Sequence, residues 1–194
     1  MSNTVRCLLL TRPIHFSPVS TMHPSVHFHY CPCCGAARES SALPQVFCSA
    51  CGFTFFVSVT CGCAAFLERP DGKVLFIRRA KEPSKGMLSI PGGFVDVNES
   101  AEDGLRREFR EEVGFEPMQL EFLCTHPNSY HYKGITYPVI DIFFKARGSG
   151  EEHAQALDAV DEVSWLNPSS VNPGDLAFPS LRHAFQLYLR ARRH

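Results

Sequence analysis

Residues 93–115 read GFVDVNESAEDGLRREFREEVGF, with Arg106, Arg107, Glu108, Arg110, Glu111 and Glu112 crowded together. The pattern predicts a helix from about Ser100 to Val113, closed by Gly114 in the position where a C-cap glycine belongs. With Glu108 at the origin of a helical wheel, Glu111 falls at about −60° and Glu112 at about +40°, so the three share one face. Leu105, Phe109 and Val113 fall at roughly 60° to 140° and form the apolar stripe that faces a core. Electrostatics says more than amphipathicity does. Glu108 and Glu112 are a like-charged i,i+4 pair, unfavourable by about a few tenths of a kcal/mol. Glu111 and Glu112 sit at the negative end of the helix dipole, which costs ~0.3–1 kcal/mol each when exposed. Arg107 and Glu111 stand in the less favourable order. A helix built for its own stability would reverse these charges. A divalent cation at the carboxylate face offsets the repulsion, and clustered hard oxygens suit Mg²⁺ or Mn²⁺. Gly104, one turn before Glu108, is expected to leave room on that face for a ligand.

Outward from the helix, the chain reads as strands and loops. TCGCAAFLER and KVLFIRRA flank Asp71-Gly72, a hairpin signal in which the dipeptide is expected to supply the positive φ angles of a tight turn. KEPSKGMLSIPGGFVDVNES is loop, short strand and loop. After the helix, MQLEFLCTHPNSY and ITYPVIDIFFKARG are β-rich. A polar loop over roughly 147–158 precedes the strand DEVSWL, and FPSLRHAFQLYLRARRH is expected to be a basic amphipathic helix.

The 194-residue chain fits one medium domain, or a domain with a small appendage. Its formal net charge of −1 advertises no nucleic-acid partner. No apolar run approaches the ~18 residues needed to cross a bilayer, so no membrane partner is expected. Residues 1–25 read as a disordered tail or a transit-type presequence, with Met22 as an alternative start. The expected location is cytoplasmic, with organellar targeting by that segment as the alternative.

Nine cysteines, an odd and clustered set, argue against a secreted disulfide framework. Cys31 and Cys34 form one CxxC knuckle, Cys48 and Cys51 a second, and each is followed by a glycine, Gly35 or Gly52. Four thiolates at this spacing suit tetrahedral Zn²⁺ in a structural role, because no coordination position stays open. Cys33 is the spare inside the first knuckle. Cys61 and Cys63 share one side of a strand and read as small apolar residues, with a redox or metal role as the alternative. The knuckles resemble a zinc ribbon over residues 26–57, a module whose metal supplies most of its folding energy, on the order of 10–16 kcal/mol in zinc-finger peptides.

The quoted stretch resembles the Nudix box, G-x5-E-x7-R-E-U-x-E-E-x-G-U, where U is bulky and apolar. Gly93, Glu99, Arg107, Glu108, Phe109, Glu111, Glu112, Gly114 and Phe115 occupy its positions without a gap. Phenylalanine at both U positions is a mild departure. The resemblance implies an α/β fold, an α/β/α sandwich over residues 58–194 preceded by the ribbon. It also implies hydrolysis of a nucleoside diphosphate linked to a group X, with water activated by divalent cations. It makes Glu108, Glu111 and Glu112, with the Gly92 carbonyl, the ligands of Mg²⁺ or Mn²⁺, and makes Glu108, Glu111, Arg107 and Glu99 the catalytic set. Arg107 would orient a glutamate, and Glu99 would brace the loop at the helix start. The general base stays open between Glu108 and the later carboxylates Glu151, Glu152, Asp158, Asp161 and Glu162.

A zinc ribbon ahead of a Nudix domain is similar to the NADH pyrophosphatase architecture, but THPNSYHYKGITYP lacks that family's SQPWPFP-like signature. Tyr130 and Tyr132, with His131 and Tyr137 nearby, suit stacking on a nucleobase; half-buried tyrosines of an ordinary strand pair are the alternative. Arg78 and Arg79 end a strand within reach of phosphate, and because neighbours alternate faces at most one of them is expected to bind it. The expected partner is a small nucleotide of dinucleotide type (ADP-ribose, NADH or FAD). A non-catalytic nucleotide sensor, or a ribbon that docks protein or RNA, is the rival. Many Nudix enzymes are dimers, so a homodimer is compatible with this sequence.

Overall fold

The computed structural model describes residues 24–38, 45–148 and 153–192. The tail reading therefore falls almost wholly outside the described residues. From its last two positions onward, Pro24–His27 form a single 3₁₀ turn with Ser25 buried.

The cysteine-rich segment carries β1 (Gln45–Phe47) and β2 (Thr54–Phe56), paired antiparallel in a sheet of their own. The rest is built on one mixed sheet. It contains β3 (Thr60–Glu68), β4 (Val74–Arg79), β5 (Leu88–Ser89), β6 (Gly92–Phe94), β7 (Met118–Tyr132), β8 (Ile135–Arg147) and β9 (Val160–Leu166). The path runs β5-β4-β3-β8-β7, with β6 paired to β3 and β9 to β4. β3 and β8 are parallel; the other pairs are antiparallel.

Period-two alternation in these strands sends side chains to two separate cores. Cys63, Ala65, Leu67, Leu75 and Ile77 meet Leu105, Phe109 and Val113 of α1 (Ala101–Val113). Phe66, Val74, Phe76 and Phe143 meet Leu181, Ala184, Phe185 and Tyr188 of α2 (Pro179–Ala191). A sheet with one helix on each face is the expected α/β/α sandwich. Central β3 is buried on both faces, which is why consecutive Phe66 and Leu67 are both fully inaccessible. Among the described residues, no helix is long and apolar enough to cross a membrane.

The turns depart from expectation. β3 and β4 share a single register pair, Glu68 with Val74, because β3 turns to β6 and β8 while β4 turns to β9. Their connection runs from Arg69 to Lys73, and of Asp71 and Gly72 only Gly72 takes a positive φ (79°). The tight hairpin with two positive φ angles is instead Lys133 (48°) and Gly134 (81°), joining β7 to β8.

Candidate active site

α1 opens on Ser100, whose hydroxyl accepts from the Asp103 amide, and closes on Gly114 at φ 85°. The last carbonyls of α1 are taken by the following loop: the amides of Asp158, Leu157 and Gln155 donate to Glu111, Glu112 and Val113. Of the later carboxylates, Asp158 is thereby held beside the glutamate-bearing helix end; it is exposed and paired with Lys81 at 2.7 Å. Glu162 is engaged by Arg78, and Glu151 and Glu152 lie outside the described residues.

The three glutamates share a face but not an environment. Glu112, nearest the apolar stripe, is buried at 8% exposure, and one carboxylate oxygen accepts the Gly92 amide at 2.9 Å. Burial raises its pKa to about 8 against that single donor. Burial also raises Glu108, opposed by Arg107. Glu111 is half exposed.

Arg107 places every guanidinium N–H. Its Nε and Nη2 grip both oxygens of Glu99 (2.8 and 3.0 Å), and Nη2 also reaches the Phe94 carbonyl (2.9 Å). Nη1 serves Glu108 (2.9 Å) and Glu111 (3.1 Å). Glu99, held below the usual carboxylate range chiefly by Arg107, also accepts the Asp96 amide and so ties loop to helix. Arg106 and Arg110 stay at the surface, paired with Asp103 and Glu116.

Glycines bring backbone against these carboxylates. A Cβ on Gly93 would lie 2.5 Å from the Glu108 carboxylate, and one on Gly92 (φ 147°) would lie 2.1 Å from the Cys63 carbonyl oxygen. Gly104 does not leave room for a ligand: a Cβ there would meet Glu99 at 3.0 Å and Val95 at 3.5 Å, so the glycine admits the bracing glutamate.

A cavity of about 680 Å³ opens over this floor. Glu108, Glu112, Gly92 and Gly93 line it, as do Arg79, Lys81 and Lys85. Tyr130 and Tyr132 also line it, with Phe94 edge-on to Tyr130 (5.1 Å) and Phe178 tilted against it (6.2 Å). The strand alternation separates the two arginines. Arg79 faces the cavity beneath the Phe178 ring, whereas Arg78 is turned out onto Glu162 (2.9 Å) and is not brought to the site. Glu111 likewise lies off the cavity lining. His131 and Tyr137 are also absent from it.

Asn128, Asp141, Phe178 and Ser180 also line the cavity and were not legible beforehand. The usable signal was Asp141 itself, a lone charge inside the apolar run VIDIFF. Burial raises its pKa, against donors Ser180 and Asn128.

In the cysteine-rich segment, the sulfurs of Cys31, Cys34, Cys48 and Cys51 lie within 4.8 Å of one another. The Cys31–Cys51 and Cys34–Cys48 pairs are each 3.7 Å apart. A tetrahedral ion with ~2.3 Å metal–sulfur bonds spaces its sulfurs by about 3.8 Å, so the cluster could hold one. Gly35 and Gly52 have the positive φ expected of them, and Cys33 is exposed and outside the cluster.

The model of the NUDIX domain matches residues 61–187. The chain belongs to the NUDIX domain family. Relatives include a MutT-like protein of Streptomyces ambofaciens, 31% identical over 109 residues, covering 56% of this chain and 64% of the relative. The NAD-capped RNA hydrolase NudC of Pseudomonas aeruginosa is 25% identical over 167 residues, covering 86% of this chain and 57% of that protein. The chain thus spans about three-fifths of the length of these curated relatives. Among solved structures, the NUDIX domain of Shewanella oneidensis NrtR, complexed with ADP ribose, superposes with a TM-score of 0.59 at 27% identity. That match covers 70% of this chain and 90% of the other.

Proposed function

We propose that the chain hydrolyses the pyrophosphate bond of a nucleoside diphosphate linked to X, with a dinucleotide-type substrate such as ADP-ribose, NADH or FAD. Water adds across the P–O–P anhydride, giving a mononucleotide and phosphorylated X. The observation that carries this reading is the shared cavity: clustered carboxylates, three cationic side chains and an aromatic wall surround one volume. Its size lies within the ~300–1,000 Å³ usual for small-molecule sites. The ADP ribose bound in the NrtR structure supports a substrate of this chemistry.

The residues present fit a divalent cation. Glu112 is a buried carboxylate that, among the described residues, accepts from one amide, with Glu108 close enough to raise its pKa further. Glu108, Glu111, Glu112 and the Gly92 carbonyl would hold Mg²⁺ or Mn²⁺; when bound, such cations neutralise the diphosphate and acidify water. Arg107 fixes Glu108 and Glu111 through Nη1, and Glu99 fixes Arg107. Arg79, Lys81 and Lys85 supply positive charge for phosphate, and Glu108 or Asp158 accepts the water's proton. The four-cysteine cluster would hold a structural Zn²⁺.

The test is purified protein with Mg²⁺ against NADH, ADP-ribose, FAD, diadenosine polyphosphates and nucleoside triphosphates, read by mass spectrometry. Cleavage to a mononucleotide, abolished in a folded Glu112→Gln variant, is expected. No turnover on any of them would favour a nucleotide sensor instead.

A further inference from the structure

Asp141 of β8 lines the same cavity but takes no part in the mechanism above. Its Oδ2 accepts from Ser180 Oγ (2.5 Å) and from Asn128 Nδ2 (2.9 Å). Among the described residues, no donor to Oδ1 is found. That oxygen leans over Gly62, the register partner of Asp141 on β3, where a Cβ would stand 2.6 Å away. Ser180 is fully buried in the first turn of α2, so the positive helix end offsets part of the burial that disfavours the ionised carboxylate. Tyr130 and Phe178 line the same cavity. A carboxylate oxygen without a protein donor on the lining of this cavity, beside two aromatic rings, is left free to accept from a ligand.

We propose that Asp141 Oδ1 reads the nucleobase by accepting a hydrogen bond from its exocyclic amino group, while Tyr130 and Phe178 flank the ring. This rests on the nucleotide reading of the cavity but assigns the selection of the base to a residue outside the Nudix box. Only one oxygen is available, which suits a base offering a single amino donor, of the adenine type. The two-donor edge of guanine needs both oxygens, while hypoxanthine sets a carbonyl against the negative charge where adenine sets its amino group, its one edge donor being the ring N1–H a position away.

The Asp141→Asn variant makes the idea sharp. Ser180 and Asn128 both donate, so they hold the amide oxygen of residue 141 and turn its NH₂ to the former Oδ1 position. An acceptor becomes a donor, and the preference should reverse. The measurement is calorimetric affinity for ADP and IDP in EDTA, which reads the base without turnover. Wild type should bind ADP about 10- to 100-fold more tightly, the range of one hydrogen bond to a charged group, and Asp141→Asn should favour IDP. Equal affinities in wild type, no binding of either, or an unchanged preference in a folded Asp141→Asn protein would each overturn the proposal. Should the variant not fold, the wild-type ADP/IDP ratio decides alone. A base preference without hydrolysis would sink the enzymatic reading and leave this one standing; hydrolysis without a base preference would do the reverse.

Discussion

Adjacent glycines should fail in different ways when each is given a methyl group. A Cβ on Gly93 would approach Cδ and both carboxylate oxygens of Glu108 at 2.5–2.6 Å. Ordinary contact needs about 3.4 Å or more, so the carboxylate must retreat by roughly 0.8–0.9 Å. That carboxylate is the far end of a flexible side chain and can move without the backbone. Misplacing a reacting group by ~1 Å is enough to cost on the order of 10²-fold in rate. Gly93→Ala should therefore unfold within a few degrees of wild type yet lose about a hundredfold in Mg²⁺-dependent kcat/KM. At Gly92 the obstacle is backbone: the Cys63 carbonyl oxygen at 2.1 Å and the Ala64 Cα at 2.6 Å, at a φ of 147° that L side chains rarely adopt. Gly92→Ala should lose the fold before it loses rate. Thermal unfolding beside steady-state kinetics across a Mg²⁺ titration distinguishes the two. Wild-type turnover in a folded Gly93→Ala protein would refute the role of Glu108 placement.

Four more measurements bear on other parts of the molecule. Elemental analysis should find one zinc per chain, lost on mutating Cys31 and Cys34 together; a folded, active, zinc-free protein would contradict the ribbon. Tyr188→Phe removes a buried hydroxyl that donates to Glu68 at 2.6 Å, and should lower stability in denaturant by about 1–2 kcal/mol with Mg²⁺ dependence unchanged. The Cys63 thiol, pushed up to about 12 by burial from an ordinary 9.0, should resist alkylation at pH 8 while exposed Cys33 reacts. Because the folded pKa is the higher one, its contribution is intact below pH 9.0 and is lost as pH rises towards about 12, which an unfolding series in alkaline buffer would show.

Helix α1 was legible because its information is local. The Leu105, Phe109 and Val113 stripe, the badly placed glutamates and the closing Gly114 all follow from spacing along one element. Alternation likewise separated Arg79 from Arg78. What escaped was whatever several elements build together. Gly104 looked like open space until Glu99, from the preceding loop, occupied it. Asp141 gains meaning only when β7 brings Asn128, α2 brings Ser180 and β3 offers Gly62. The turn between β3 and β4 was misjudged because Asp71-Gly72 is a strong local signal, while the strands it joins are drawn apart by other partners. Lys133-Gly134 carried a weaker signal and made the tighter turn, since β7 and β8 stay paired along their length.

The loop over 153–158 donates three amides to the final carbonyls of α1. Those protons therefore cannot exchange with solvent unless the helix end and the loop part company. Gln155, Leu157 and Asp158 should share one protection factor, set by the same opening that frees Glu111, Glu112 and Val113. Across the gap between α1 and β9, this segment and the helix terminus behave as a single cooperative piece, so an exchange experiment on three loop amides measures how firmly the carboxylate end of α1 is closed.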